Sequence, residues 1–194
     1  MQESYLCRDR FLNKEHKNED LFLTKEDELW EHVIDYTRHC SWIAGKGLAY
    51  AMKQDAFRDW ERVLIALDEE RIIGFCTVSK TDCIPRLKYT PFIGYLFVDE
   101  EYRGQCLSED IIHCAMDYLK KEGFDKVYLI SDHENFYEKY GFSVIENVMS
   151  PWGKVQKVYV HHMREYDDKS IKLVDNELTA EEYIELSAAV EFYK

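Results

Sequence analysis

The chain has 194 residues, 46% of them hydrophobic and 14% aromatic, and a formal net charge of −13. That length supports one good core with a short appendage, and the aromatic content together with only 3 prolines excludes a disordered chain. No stretch approaches the ~18 consecutive apolar residues of a membrane span, and the negative field opposes binding to nucleic acid or an anionic membrane, so neither partner is expected and a cationic acceptor is favoured.

The first twenty residues are polar and charged and read as a short strand at most, followed by a loop. Met1-Gln2-Glu3-Ser4 has neither the basic nor the apolar region of a secretion signal. At Thr24 a Thr-x-x-Asp pattern precedes apolar Leu29, Trp30, Val33, Ile34, Thr37 and Cys40, which predicts a capped first helix. Ser41 to Gly47 interrupts it, and a second helix is expected from about Leu48 to Gln54. Gly45-Lys46-Gly47 reads as the turn between the two helices, because no strand precedes it and no third glycine follows. Arg62 to Leu67 and Arg71 to Val78 flank Asp68-Glu69-Glu70 and predict a β-hairpin. A loop containing Asp82 and Pro85 then runs to Pro91.

Phe92 to Val98 is an apolar run that reads as a buried strand. An acidic turn leads from it through Arg103-Gly104 into a helix with apolar positions Leu107, Ile111, Ile112, Ala115 and Leu119. Lys126 to Ser131 is the next strand, so the unit is a βαβ crossover with parallel strands. The leading amides of a helix have no partner inside it and sit at the positive end of its dipole, so the turn suits an anion. Gly104 lets the backbone approach, Arg103 adds a charge, and Ser108 is either the N-cap or a hydroxyl donor to the same anion. Two further strands, Ser143 to Val148 and Val155 to Met163, are separated by Ser150-Pro151-Trp152-Gly153. Beyond a charged linker from Arg164 to Ser170, Ile171 to Val174 and Thr179 to Ile184 read as strand, capping box and helix. The expected organisation is one domain over residues 1–165 and an appendage over 166–194, which fits a truncated repeat, a docked helix or the arm of a homodimer.

The order of strand, Val98-Asp99-Glu100-Glu101-Tyr102-Arg103-Gly104, amphipathic helix, strand, and Phe136-Tyr137-Glu138-Lys139-Tyr140-Gly141-Phe142 closely resembles the GNAT superfamily of N-acetyltransferases. The resemblance covers Leu21 to Met163 and is strongest from Arg62 to Phe142. It implies an α/β fold whose mostly antiparallel sheet surrounds the parallel βαβ unit, with acetyl-CoA as co-substrate and no metal. It also implies direct attack by a primary amine in a ternary complex, the acceptor being a polyamine, an aminoglycoside or a protein amine. In that family an R-G-x-G-x-G/A turn binds the coenzyme A pyrophosphate through backbone amides. Those positions fall on Arg103, Gly104, Gln105, Cys106, Leu107 and Ser108, with Cys106 where a second glycine is usual and Ser108 where Gly or Ala is usual. Leu96, Phe97 and Val98 fall where the central strands splay and offer backbone groups to the pantetheine arm and the thioester.

Tyr137 matches the tyrosine that in many relatives protonates the coenzyme A sulfur; its other reading is a core aromatic on the face of Phe136 and Tyr140. Some relatives carry a glutamate base on the central strand, where this chain has Thr90, Phe92 and Tyr95. Asp82, His133 and a water chain remain open for that role, and His133 also fits a helix start at Asp132. Trp42 and Trp60 fall where the first two helices wall the acceptor pocket, and both equally suit a core. Cys106, Ser108 and the missing carboxylate leave a second class of function, a non-catalytic acyl-CoA-binding module. The six cysteines, Cys7, Cys40, Cys76, Cys83, Cys106 and Cys114, form no C-x-x-C pair and read as reduced thiols of a cytoplasmic protein. His161 and His162 are neighbours on a strand and point to opposite faces, so no zinc site is expected.

Overall fold

The computed structural model describes residues 22–84 and 86–163. The expected tail elements from residue 166 onward and the short strand of the first twenty residues lie outside the described residues. Seven strands form one sheet: β1 (Phe22–Leu23), β2 (Arg62–Asp68), β3 (Arg71–Ser79), β4 (Phe92–Val98), β5 (Lys126–Ser131), β6 (Ser143–Met149) and β7 (Val155–His162). Their order is β1-β2-β3-β4-β5-β7-β6, and the β4–β5 pair alone is parallel. Three α-helices accompany them among the described residues, α1 (Trp30–His39), α2 (Gly45–Lys53) and α3 (Leu107–Lys121). The expected mixed α/β sheet, antiparallel around one parallel βαβ unit, is the fold that forms.

Adjacent strand residues point to opposite faces, and Gly74 and Phe75 of β3 show what covers each. A Cβ on Gly74 would stand 2.9 Å from Ile111 Cδ1, so α3 lies tightly on that side. The Phe75 ring instead meets Tyr36 of α1 edge-on at 6.2 Å and Trp42 at 6.5 Å. With both faces covered, β3 is buried continuously from Ile72 to Val78 rather than on alternate residues. On α3 the apolar stripe Leu107, Ile111, Ile112, Ala115 and Leu119 is buried, as its spacing predicts.

Three local expectations need correction. The first helix begins at Trp30, not at Thr24: Thr24 donates through its amide (2.7 Å) and its hydroxyl (2.9 Å) to Asp27 Oδ2, closing a single turn that precedes the helix. Helix α2 begins at Gly45, so Gly45-Lys46-Gly47 is its first turn and not a linker. Packing accounts for the glycine, since a Cβ on Gly45 would lie 2.3 Å from the Thr37 carbonyl oxygen and 2.6 Å from Cys40 Sγ of the preceding helical segment. No helix starts at Asp132. The His133 amide donates to Ser131 Oγ (3.1 Å), and the next helical element is a 3₁₀ turn over Tyr137–Tyr140. Among the described residues no helix is long and apolar enough to cross a membrane, and no group of three or more His, Cys, Asp or Glu is placed to hold a metal ion.

Candidate active site

The site originates in a fault in β4. Thr77 of β3 faces Gly94 and Phe75 faces Phe97, so Tyr95 and Leu96 stand opposite Cys76 alone. This is a β-bulge, and Tyr95 occupies the left-handed region at φ 48. The extra residue bends the strand away from β5. Phe92 with Tyr128 is the one register pair between the two strands, and beyond it they part. A cavity of about 1180 Å³ occupies the gap, running from the turn after β4 to the α1–α2 segment. The bulge also aims Tyr95 at α2, where its hydroxyl oxygen sits 3.3 Å from the position of a Cβ on Gly47.

Of the strand residues expected at the site, Leu96, Phe97 and Val98 all line this cavity. Backbone groups alternate sides along a strand. The Asp99 amide donates to the Ile73 carbonyl across β3 (2.8 Å), so the groups of Val98 turn toward β5. The Val98 carbonyl is not free as expected: Arg103 Nε donates to it at 3.1 Å. Arg103 also reaches Glu100 Oε1 through a terminal nitrogen at 2.8 Å and lies 6.0 Å from the centre of the Phe97 ring.

The turn itself is well defined. Asp99 Oδ1 accepts from the Glu101 amide (3.1 Å) and starts a short 3₁₀ turn, Glu100–Tyr102. Gly104 at φ 76 and Cys106 at φ 62 then bring the chain into α3. Cys106, not Ser108, is the N-cap residue, and no side chain caps the helix, so its leading amides are left to an anion. A Cβ at Gly104 would meet nothing within 4 Å, which marks open space beside those amides. Ser108 lies inside the helix with its hydroxyl 3.3 Å from that of Tyr140. Arg103, Gly104, Cys106, Leu107 and Ser108 line the cavity; Gln105 does not, and its side-chain amide donates to the Glu101 carbonyl (3.3 Å).

Tyr137 is a core aromatic that also reaches the cavity. Its ring packs among Phe136 (4.9 Å), Tyr159 (5.5 Å) and Phe142 (6.2 Å), and the residue also lines the cavity beside Ser131. Burial pushes its phenol up to about 12, opposed by the Ser131 hydroxyl and reinforced by Asp82. Asp82 and His133 both reach the cavity wall, as do Trp42, stacked on Phe97 at 6.2 Å, and Ile43. Trp60 does not: its ring packs on Phe124 at 4.7 Å and its carbonyl accepts from Tyr118 Oη at 2.7 Å. Trp152 and Lys154 at the β6–β7 turn and Gln156 of β7 also line the cavity and were missed by the sequence reading. Their signal was a tryptophan in a Pro/Gly turn, where no core would claim it.

A family model described as an acetyltransferase (GNAT) domain matches residues 59–144, which span the hairpin, the bulged strand, the turn and the Tyr137 segment. Over these residues the chain is similar to a GNAT acetyltransferase domain. The chain is 30% identical over 83 residues to N-alpha-acetyltransferase 30 of Schizosaccharomyces pombe, covering 40% of this chain and 55% of that protein. It is 29% identical over 98 residues to the uncharacterized N-acetyltransferase YhbS of Escherichia coli K12, covering 50% of this chain and 57% of that protein. The chain thus spans little more than half the length of these curated relatives. Its fold is similar to that of an aminoglycoside 6'-N-acetyltransferase complexed with coenzyme A, with a TM-score of 0.59 at 15% identity over 76% of this chain and 98% of that one. At that identity the likeness is one of fold.

Proposed function

We propose that this GNAT domain binds acetyl-CoA in the cleft between β4 and β5 and transfers its acetyl group to a primary amine held in the same cleft. The observation that carries this reading is the continuity of one cavity of about 1180 Å³ from Gly104, in the turn before the uncapped start of α3, to Tyr137 and on to the α1–α2 segment. Small-molecule sites are typically ~300–1,000 Å³, so the space suits a large co-substrate together with an acceptor. In this account the amides from Gly104 to Ser108 hold the pyrophosphate, while the backbone groups that Leu96 and Val98 turn toward the gap position the pantetheine arm and polarise the thioester carbonyl, and Phe97, whose backbone faces β3, contributes to the wall. The amine nitrogen attacks the thioester carbon, the C–N bond forms and the C–S bond breaks. The departing sulfur takes the proton of the Tyr137 phenol, which its high pKa keeps protonated until that moment. The domain boundary near residue 165 belongs to the same proposal, with the appendage 166–194 taking no part in the chemistry.

A second reading, an acyl-CoA-binding module without turnover, draws on Cys106 and Ser108, which replace the usual small residues of the turn. Incubation of the full chain with acetyl-CoA and a panel of amines, with free thiol followed over time, separates the two. Amine-dependent thiol release supports the enzyme. Binding of acetyl-CoA with no release for any amine supports the module.

A further inference from the structure

Asp82 lies in the loop between β3 and β4 with its carboxyl against β4. Its Cγ and Oδ1 are 3.6 Å from where a Cβ on Gly94 would stand, so glycine at that position makes the room. Gly94 is four residues back along β4 from Val98, on the order of 13 Å of strand from the turn, which places Asp82 toward the amine end of the cleft. The Cys83 amide donates to Oδ1 at 2.6 Å. No Lys, Arg or His among the described residues forms an ion pair with this carboxyl. Burial pushes its pKa up, against the lowering effect of the Cys83 hydrogen bonds. Its charge is also felt across the cavity by Tyr95 and Tyr137, both of which it helps to push up after the larger effect of their own burial.

The surrounding wall is aromatic. Trp42 meets Tyr95 edge-on at 6.3 Å, and Trp152 projects at the rim. Charge in the wall is sparse and mixed: among the lining residues the carboxylates are Asp82 and Asp132, and the fixed cations are Arg103 and Lys154. The net charge of −13 is therefore carried mostly outside the cleft. A polycation needs several counter-charges in the space it enters, and Lys154 opposes it. One ammonium on an aromatic or apolar body needs a single carboxylate and ring faces to cover it.

We propose that Asp82 receives the ammonium of the acceptor, and that the acceptor is an amine with one positive charge on an aromatic or apolar body rather than a polyamine or an aminoglycoside. This rests on the acetyl-transfer reading above for its chemistry. The ammonium gives one proton to the Asp82 carboxylate, and the free amine attacks the thioester carbon. The sulfur leaves with the Tyr137 proton, and the second nitrogen proton restores the phenol. Asp82 then loses its proton to solvent, so one proton is released for each amide and thiol formed.

Calorimetric titration of the CoA-loaded full chain tests this through binding, independently of turnover. 2-Phenylethylamine should bind at least ~10-fold tighter than its uncharged counterpart 2-phenylethanol, the ratio expected of a charge-assisted hydrogen bond. Asp82→Asn should remove that difference while leaving coenzyme A affinity unchanged. Asn should also not lower Tm: the folded carboxyl has a raised pKa, so above that pKa its ionised form subtracts stability that a neutral amide does not. Equal affinity of the wild type for amine and alcohol, unchanged amine binding by Asp82→Asn, or tighter binding of spermidine than of 2-phenylethylamine would each overturn the proposal. Amine binding through Asp82 without acetyl transfer refutes the enzyme reading and leaves this one standing; acetyl transfer preferring spermidine does the reverse.

Discussion

Replacing Tyr137 with Phe removes one hydroxyl from a ring that is otherwise held by Phe136, Tyr159 and Phe142. The structural loss is limited to the contact with Ser131, whose oxygen still accepts from the His133 amide. A hydrogen bond is worth ~0.5–1.5 kcal/mol, so Tm should fall by a few degrees at most. The chemical loss is larger. General acids typically contribute ~10²- to 10⁴-fold. Burial pushes this phenol up to about 12, roughly 3.5 units above a reference thiol at about 8.5, so the proton moves uphill to the sulfur. The expected fall in kcat is therefore at the low end, about 10²-fold, with KM for acetyl-CoA nearly unchanged. Initial rates of thiol release, measured beside a thermal melt, read both quantities. Full activity in Tyr137→Phe with loss in Tyr140→Phe would move the acid to the phenol beside Ser108. No loss in either would mean that the thiolate leaves without an acid.

Other outcomes follow from the same geometry. Cys106→Gly relieves a left-handed residue, worth ~1–2 kcal/mol, and returns about 0.5–1 kcal/mol in chain entropy; denaturant melts should show a net gain of about 0.5–1 kcal/mol. Gly45→Ala forces a methyl to within 2.3 Å of the Thr37 carbonyl oxygen and should cost about 3 kcal/mol, the upper end for overpacking, in the same assay. Folded Tyr137 has its pKa raised to about 12 from the ordinary 10, so the unfolded chain ionises first and stability should fall as pH rises from 10 toward 12. Melts of Tyr137→Phe over that range should lose less stability than the wild type.

Much of the fold was legible because its signals are local. The βαβ unit announced itself through an apolar run, a glycine turn and the 3.6-residue stripe of α3. The hairpin of β2 and β3 did so through an acidic turn between two apolar runs. Less legible were the places where a distant contact decides. Thr24 and Asp27 do form the hydrogen bonds their spacing suggests, yet they close one turn that α1 does not continue. Gly45 reads as punctuation, whereas it is the first residue of a helix and is glycine because the Thr37 carbonyl leaves room for nothing larger. The bulge at Tyr95 is invisible in Phe92 to Val98 read alone, since it consists of a register slip against β3.

For the site, a short glycine turn could be placed by pattern, and Tyr137 by motif, because both are sequence-contiguous. The proposed amine end could not. It is assembled from Trp42, Asp82 and Trp152, which belong to three separate connections that only the folded sheet brings to one cavity.

Thermal melts with acetyl-CoA test the central claim most directly. At about 100 times its dissociation constant the ligand should stabilise the folded chain by ~2.7 kcal/mol, and Arg103→Glu, which turns a cation beside the open Gly104 turn into an anion, should strongly reduce that shift. Absence of any shift at millimolar acetyl-CoA in the wild type, or a shift that Arg103→Glu leaves unchanged, would contradict binding between β4 and β5 at the start of α3.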